Sequence, residues 1–321
     1  MKAIIYRNYG QPEVLSIEDV EKPFPKDNEV LVRVQAATVN RTDCANLTAK
    51  PFIMRFGLGL FKPARQIPGT DFAGVVEMVG PNVTNFKVGD RVFGFDDGVS
   101  SSYAEYMTFP SNDAIAVMPH NVSFAEAAAS LEGAHYALNF INKVEVNGKT
   151  VLVHGATGAI GSAMVQLCRH FGATVTATCG TGREDLVKSL GAIRTINWQT
   201  TDFTQDHEKF DLVFDTVGKS SFGKCKPLLK PKGVYISSEL GPNGENIPLS
   251  LVSKYFGGRH VRFPIPVDSP RSVRIMAELL ERGEYRPVID RTYKMDQVAD
   301  AFRYVLTGQK IGNVILRIAE I

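Results

Sequence analysis

Residues 151–167, VLVHGATGAIGSAMVQL, constrain this chain more than any other stretch. An apolar run with strand character enters three glycines, Gly155, Gly158 and Gly161, and leaves as a small-residue helical pattern. A strand, tight turn and helix in this order leave the first helical N–H groups unpaired and facing a phosphate. The spacing departs from strict GxGxxG, so the flanking strand and helix carry the reading as much as the glycines do. Gly155 is expected to allow the sharp turn, Gly158 the approach of a phosphate, and Gly161 close packing of helix on strand. Ala156, Ala159 and Ile160 complete the candidate phosphate-binding segment. Residues 150–168 are almost long enough to span a bilayer, but their glycines, His154, Thr157, Ser162 and Gln166 suit burial in protein better than lipid.

Downstream the pattern alternates. Strand-like segments at 174–179, 194–197, 211–215 and 234–237 are separated by helix formers at 184–190 and by room for a crossover helix at 222–229. Parallel strands need such crossovers, so this part reads as a doubly wound α/β sheet. Upstream, residues 3–6, 15–17, 30–36, 69–80, 88–93 and 103–108 read as strands of a mostly antiparallel sheet, with a turn at 98–102. Ser123 and Glu126 form a capping box that opens a helical stretch over 123–138, placing a boundary near 119–123. Residues 249–256 precede an expected strand at 261–267, helices at 269–282 and 295–306, and a closing strand at 313–318. That tail is too short for a domain of its own and most simply completes the first one. The expected segments are therefore 1–122, 123–264 and 265–321, and 321 residues exceed one ordinary core.

A net charge of +2 with scattered Lys and Arg argues against nucleic acid and against acidic membranes. The four cysteines, Cys44, Cys168, Cys179 and Cys225, include no C-x-x-C pair, so neither a zinc knuckle nor a redox pair is indicated. So few in a large chain suit a reducing compartment, and the N-terminal MKAIIYRNYG lacks an apolar signal core. A cytoplasmic protein with no membrane insertion is expected.

The loop after the second parallel strand discriminates between dinucleotides. A site for NAD usually carries Asp or Glu there, whereas this chain has Thr178, Cys179, Gly180, Thr181, Gly182 and Arg183. The missing carboxylate and the guanidinium favour a 2′-phosphate, hence NADP(H), with Thr181 as a second donor. The alternatives are a solvated Arg183 at a helix start, and NAD held through Glu184. Thr216, Val217 and Gly218 end the next strand on the side where a dinucleotide binds, with Asp215 organising the turn, and Ser238 follows the strand after it.

Two stretches concern the acceptor. The cluster VNRTDC, residues 39–44, follows an apolar strand, and Asn40, Thr42 and Asp43 either cap a helix or line a site. Residues 48–68 mix Phe52, Phe56, Leu60 and Phe61 with Gly57, Gly59, Pro51 and Pro63, which suits an apolar lid over a pocket or a surface against another subunit.

The segments VRVQAATVNRTD, PGTDFAGVVEMVG, VGDRVFGF, VLVHGATGAIGSAMVQL, FDLVFDTVG and MDQVADAFRYVLTGQKIGNVILRI occur in one order over almost the whole chain. Together they resemble the medium-chain dehydrogenase/reductase superfamily, in particular its zinc-free quinone oxidoreductase branch, the zeta-crystallin-like proteins. The resemblance implies a Rossmann domain inserted in a largely β, GroES-like catalytic domain built from both chain ends. It also implies a homodimer. Zinc-dependent relatives have Cys at the place of Asn40 and His-Glu at Thr70-Asp71, with a further Cys or acid near Glu132. Amide and hydroxyl are poor zinc ligands, and the cysteine-rich structural-zinc lobe of those relatives is absent, residues 94–103 having no Cys, so neither a catalytic nor a structural zinc is expected.

Without a metal to acidify an alcohol, hydride addition to a conjugated C=C or a quinone is the easier reaction. The resemblance puts Asn40 and Asp43 beside nicotinamide and substrate, Asn40 as an amide donor and Asp43 orienting its neighbours. Tyr136 takes a cofactor-side position, where its phenol meets cofactor or substrate unless it is a packing residue. Trp198 is expected to wall the adenosine end. Asn313 stands where many relatives have Lys, which removes a positive charge, although a sub-branch shares the Gly-Asn pair. The expected activity is NADPH-dependent reduction of a small hydrophobic quinone, enone or enal. The competing functions are a zinc-free alcohol or carbonyl dehydrogenase and an NADPH-binding regulatory or structural protein.

Overall fold

The computed structural model describes residues 1–96, 98, 101–255 and 258–319. Part of the expected 98–102 turn and Phe256 lie outside them. In chain order the first strands are β1 (Lys2–Tyr6), β2 (Leu15–Asp19), β3 (Glu29–Val39), β4 (Asp71–Val79), β5 (Arg91–Phe95), β6 (Tyr106–Pro110) and β7 (Ile115–Val117). They are followed by β8 (Thr150–His154), β9 (Thr174–Cys179), β10 (Arg194–Asn197), β11 (Phe210–Asp215), β12 (Leu229–Ser237), β13 (His260–Arg262), β14 (Ile289–Lys294) and β15 (Asn313–Arg317). The helices are α1 (Arg41–Thr48), α2 (Arg55–Leu58), α3 (Phe124–Ala129), α4 (Glu132–Ile141), α5 (Ala159–His170), α6 (Glu184–Ser189), α7 (Phe222–Cys225), α8 (Asn246–Val252), α9 (Ser269–Glu281) and α10 (Val298–Leu306). The chain divides into one unit of Met1–Glu132 with Asp268–Ile321, and a second of Gly133–Val267.

In the first unit, β3 is the hub. It pairs antiparallel with β4, β6 and β15, and the sheet runs β14-β15-β3-β4-β5-β7. The C-terminal strand β15 thus joins the N-terminal strand β3, with Val314 opposite Val39 and Arg317 opposite Ala36. Val30, Val32, Val34, Phe72, Val92, Phe302, Val314 and Leu316 share one buried core, which is what draws the two ends of the chain together.

The second unit is a six-stranded parallel sheet in the order β10-β9-β8-β11-β12-β13. This is the Rossmann order, and the direction of winding reverses between β8 and β11. Its core gathers Leu152, Val213, Phe210, Leu228 and Tyr235. The structure therefore has a Rossmann-type sheet inserted in a GroES-like one.

Several local expectations are corrected. The strand expected at 261–267 ends at Arg262, because Pro264 and Pro266 cannot donate to a ladder. The helix expected over 123–138 is interrupted at Ser130, between α3 and α4. The 295–306 helix begins as a 3-10 turn, Met295–Gln297, before α10. Strand β14 carries the polar sequence IDRTYK and gave no apolar alternation to read.

Candidate active site

At the switch point the glycine turn is tied down from both neighbouring strands. On the β9 side, Thr178 is fully buried and its Oγ1 accepts from Gly155 N–H at 3.0 Å, 2.8 Å from His154 Nδ1. Burial holds the His154 imidazole below its usual pKa, and the ring stacks on Phe203 at 4.3 Å. On the β11 side, Thr216 donates through Oγ1 to the His154 carbonyl at 2.8 Å. Asp215 organises its own turn, accepting from Gly218 N–H at 2.8 Å, Ser220 N–H at 3.0 Å and Tyr235 OH at 3.1 Å. Gly155 turns at φ +87°, with Val217 packed where its side chain would be. A Cβ on Gly161 would sit 2.1 Å from the Gly155 carbonyl oxygen, whereas one on Gly158 would meet nothing closer than 3.7 Å. Gly158 caps α5 without a side-chain bond, so the N–H groups of Ala159 and Ile160 open the helix unpaired by any cap.

The loops after β9 and β10 form a second polar group. Thr181 N–H donates to Gln199 Oε1 at 2.8 Å, and Asn197 Nδ2 donates to Thr181 Oγ1 at 2.8 Å and to Glu184 Oε1 at 3.3 Å. Glu184 is thereby turned toward Asn197. Arg183 is exposed at the start of α6, and among the described residues its guanidinium has no hydrogen-bond or ion-pair partner. Trp198 is 53% exposed and passes beside Gly180, while Cys179 is buried. Ser238 is half-buried, its N–H on the Asp215 carbonyl at 3.0 Å. Tyr136 belongs to this unit too, half-buried on α4 with its ring 5.6 Å from that of His135.

In the first unit a polar cluster lies buried where β3, β4, α1 and the start of α4 meet. Asn40 is the N-cap of α1, and its N–H donates to Asp43 Oδ2 at 2.8 Å, so part of the VNRTDC cluster is a cap. Asn40 Nδ2 donates to Thr38 Oγ1 at 2.7 Å, and Thr38 donates through Oγ1 to Asp71 Oδ2 at 2.6 Å and through N–H to Asp71 Oδ1 at 2.8 Å. Glu132 accepts from Thr42 at 2.7 Å and from Thr70 at 3.3 Å. Asp43 Oδ1 is buried without a partner. Burial, reinforced by Glu132, raises Asp43 well above the carboxylate range and pushes Asp71 up to about 8. The Asp71 carboxyl therefore holds its proton at neutral pH, and Asp43 is shifted in the same direction.

One residue of this cluster was not singled out from the sequence. Lys310, in the loop before β15, donates to Asn40 Oδ1 at 3.0 Å and to the Gly312 carbonyl at 2.6 Å. The missing charge at position 313 was the available signal, since a lysine stands only three residues before it. Asn313 itself is buried, and its N–H and Nδ2 both donate to the Val288 carbonyl, at 2.8 and 3.1 Å. Within residues 48–68 the chain forms a 3-10 turn and α2, held by Tyr9 OH on the Gly59 carbonyl at 2.7 Å. Its Phe56 and Phe61 are 75% and 88% exposed.

Residues 26–120 match the family described as alcohol dehydrogenase GroES-like domain, and residues 190–316 that described as zinc-binding dehydrogenase. The chain is 35% identical to 2-methylene-furan-3-one reductase of Solanum lycopersicum, covering 98% of this chain and 79% of that protein. It is 31% identical to the NADPH-dependent alkenal/one oxidoreductase, chloroplastic, of Arabidopsis thaliana, with the same two coverages of 98% and 79%. The solved quinone oxidoreductase from Coxiella burnetii shares the fold with a TM-score of 0.86 at 27% identity, over 99% of each chain. This chain belongs to the medium-chain dehydrogenase/reductase superfamily, in its zinc-independent quinone oxidoreductase branch.

Within that superfamily its polar cluster has a distinct chemistry. Asn40 and Thr70 present an amide and a hydroxyl, and among the described residues no three His, Cys, Asp or Glu are arranged to hold a metal ion. The nucleotide unit has the Rossmann fold through which this superfamily binds NAD(P). No described helix is long and apolar enough to cross a membrane.

Proposed function

We propose that this oxidoreductase uses NADPH to reduce the conjugated double bond of enones and enals, or quinones. The observation that carries the reading is the donor set around Asn40, where neutral amide and hydroxyl groups take the place of metal ligands. Such groups do not acidify an alcohol, but hydrogen-bond donors suffice to stabilise an oxygen that gains charge as a conjugated carbon is reduced. The names of the tomato and Arabidopsis relatives agree with that chemistry.

The residues present fit the cofactor. Open space at Gly158 and the unpaired N–H groups of Ala159 and Ile160 suit a pyrophosphate. Arg183, with Thr181 beside it, suits a 2′-phosphate, while Glu184 accepts from Asn197 at 3.3 Å. Val217 and Gly218 stand at the switch point with their N–H groups on Asp215, leaving their carbonyls to meet the cofactor, with Trp198 beside the adenosine end. Bound NADPH would supply the hydride. Asp43 holds the start of α1, and with it Asn40, and acts as an orienting residue rather than a base. Phe52, Phe56 and Phe61 offer an apolar surface to a hydrophobic acceptor.

Two measurements test this. NADPH consumption with a panel of quinones, enals, enones and simple aldehydes, with product identification, should show saturation of the conjugated bond or quinol formation. Interconversion of alcohols and aldehydes alone would refute the reading. Arg183→Ala should weaken NADPH binding about 10- to 100-fold, as loss of a charge-assisted bond to phosphate implies, and leave NADH binding nearly unchanged. Equal effects on both would remove Arg183 from the phosphate site.

A further inference from the structure

Lys310 is held in an unusual way. A lysine ammonium has three N–H donors, and two of them are spent on neutral acceptors, Asn40 Oδ1 at 3.0 Å and the Gly312 carbonyl at 2.6 Å. Among the described residues it forms no ion pair, and its third donor meets no acceptor. Desolvation without a counter-ion is costly, and burial pushes its pKa down to about 8 although Glu132 opposes the shift. The charged and titratable groups around it are Glu132 at the start of α4, Cys44 and Arg41 on α1, and Asp290 on β14, with Asp71 beyond Asn40.

The orientation of Asn40 is set from the far side. Asp71 takes both the N–H and the hydroxyl of Thr38, the Thr38 oxygen takes the amide of Asn40, and the Asn40 carbonyl is left facing Lys310. The ammonium is thus fixed in place by two neutral acceptors, with Glu132 acting on it without a direct bond. It stands beside the residue at which the resemblance puts the substrate, and it restores the cation that is missing at Asn313.

We propose that the third N–H of Lys310 binds the carbonyl oxygen of the acceptor and protonates it as hydride adds to the conjugated carbon. This rests on the reductase reading above. The hydride pair forms the new C–H bond, the π electrons move onto the carbonyl oxygen, and the Lys310 proton caps that oxygen. Neutral Lys310 regains a proton from water, and the enol tautomerises to the saturated carbonyl. Lys310 is then a catalytic residue, while Asp71 and Thr38 act through Asn40 as positioning residues.

4-Nitrophenol with the NADP⁺-loaded protein tests this apart from turnover, because its visible absorbance reports ionisation and its phenolate mimics the charged oxygen. Bound to the wild type it should ionise at lower pH than in water, and Lys310→Met should abolish that shift. Lys310→Met should also lower kcat/KM for an enone by about 100-fold or more, with NADPH affinity unchanged. Lys310→Arg, which keeps the charge should Lys310→Met fold poorly but cannot release a proton, should keep the nitrophenol shift and lower kcat/KM for the enone by about 10-fold or more. An identical nitrophenol titration in wild type and Lys310→Met, or a Lys310→Arg variant as active as the wild type, overturns the proposal. A titration shift lost in Lys310→Met, in a protein that reduces no enone or quinone, would keep Lys310 as the oxygen-binding group and sink the reductase reading alone.

Discussion

Gly161→Ala is expected to destabilise the nucleotide-binding unit by about 3 kcal/mol, and Gly158→Ala, three residues away, by less than about 1 kcal/mol. At Gly161 the new Cβ would lie 2.1 Å from the Gly155 oxygen and 2.8 Å from its carbonyl carbon. Both are backbone atoms of a turn already fastened by Thr178 and Thr216, so neither can yield without loosening the switch point. At Gly158 a methyl group meets no atom closer than 3.7 Å and the helix keeps its start. The same methyl group would nevertheless occupy the space assigned to the pyrophosphate. Gly158→Ala should therefore keep its melting temperature and lose NADPH affinity by about 10-fold or more. Thermal unfolding and cofactor titration of both variants check this. Unchanged NADPH binding in Gly158→Ala would move the phosphate elsewhere, and a fully stable Gly161→Ala would contradict the packing.

Stability should fall as pH rises from about 4 to about 8 and recover above that. Asp71 is raised from 3.8 to about 8, so across that window the folded chain holds a proton that the unfolded chain has released. The folded state then loses about 1.4 kcal/mol per pH unit, at most about 6 kcal/mol across the window. Asp43 is shifted in the same direction and adds to the fall. Lys310 has the opposite sign. Its folded pKa of about 8 lies below the ordinary lysine value of 10.5, so between these pH values the unfolded state binds more protons and stability rises with pH. A minimum near pH 8 follows. Asp71→Asn keeps an oxygen for the Thr38 N–H and should flatten the acid side of the curve. Denaturant unfolding at pH 5 to 10 decides it, and parallel profiles in wild type and Asp71→Asn would contradict the assignment.

Much of the nucleotide unit could be read because its signals are local. The strand, the glycines and the helix of residues 151–167 are contiguous, and the absent acid and present Arg183 follow one strand later. Signals failed where packing overrode composition. Polar β14 is a strand because β15 pairs with it in parallel, and the expected strand at 261–267 stops at its prolines. The polar cluster was half legible. Asn40 and Asp43 attracted attention as polar residues after an apolar strand, but whether they cap or line a site depended on neighbours far away in sequence. The cap is what the structure shows: Asp43 accepts from the Asn40 N–H, while the Asn40 side chain faces Lys310.

The two folds, the insertion of one in the other, and the strand, glycine turn and helix of residues 150–170 were legible in the sequence, because periodicity and glycine placement act over a few residues. Tertiary structure alone decided which groups share the buried cluster. Asn40 and Lys310 are separated by most of the chain, and they meet because β15 returns to pair with β3, with Val314 opposite Val39. Burial there raises the carboxyls and lowers the lysine, and no residue's own chemistry foretells that shift.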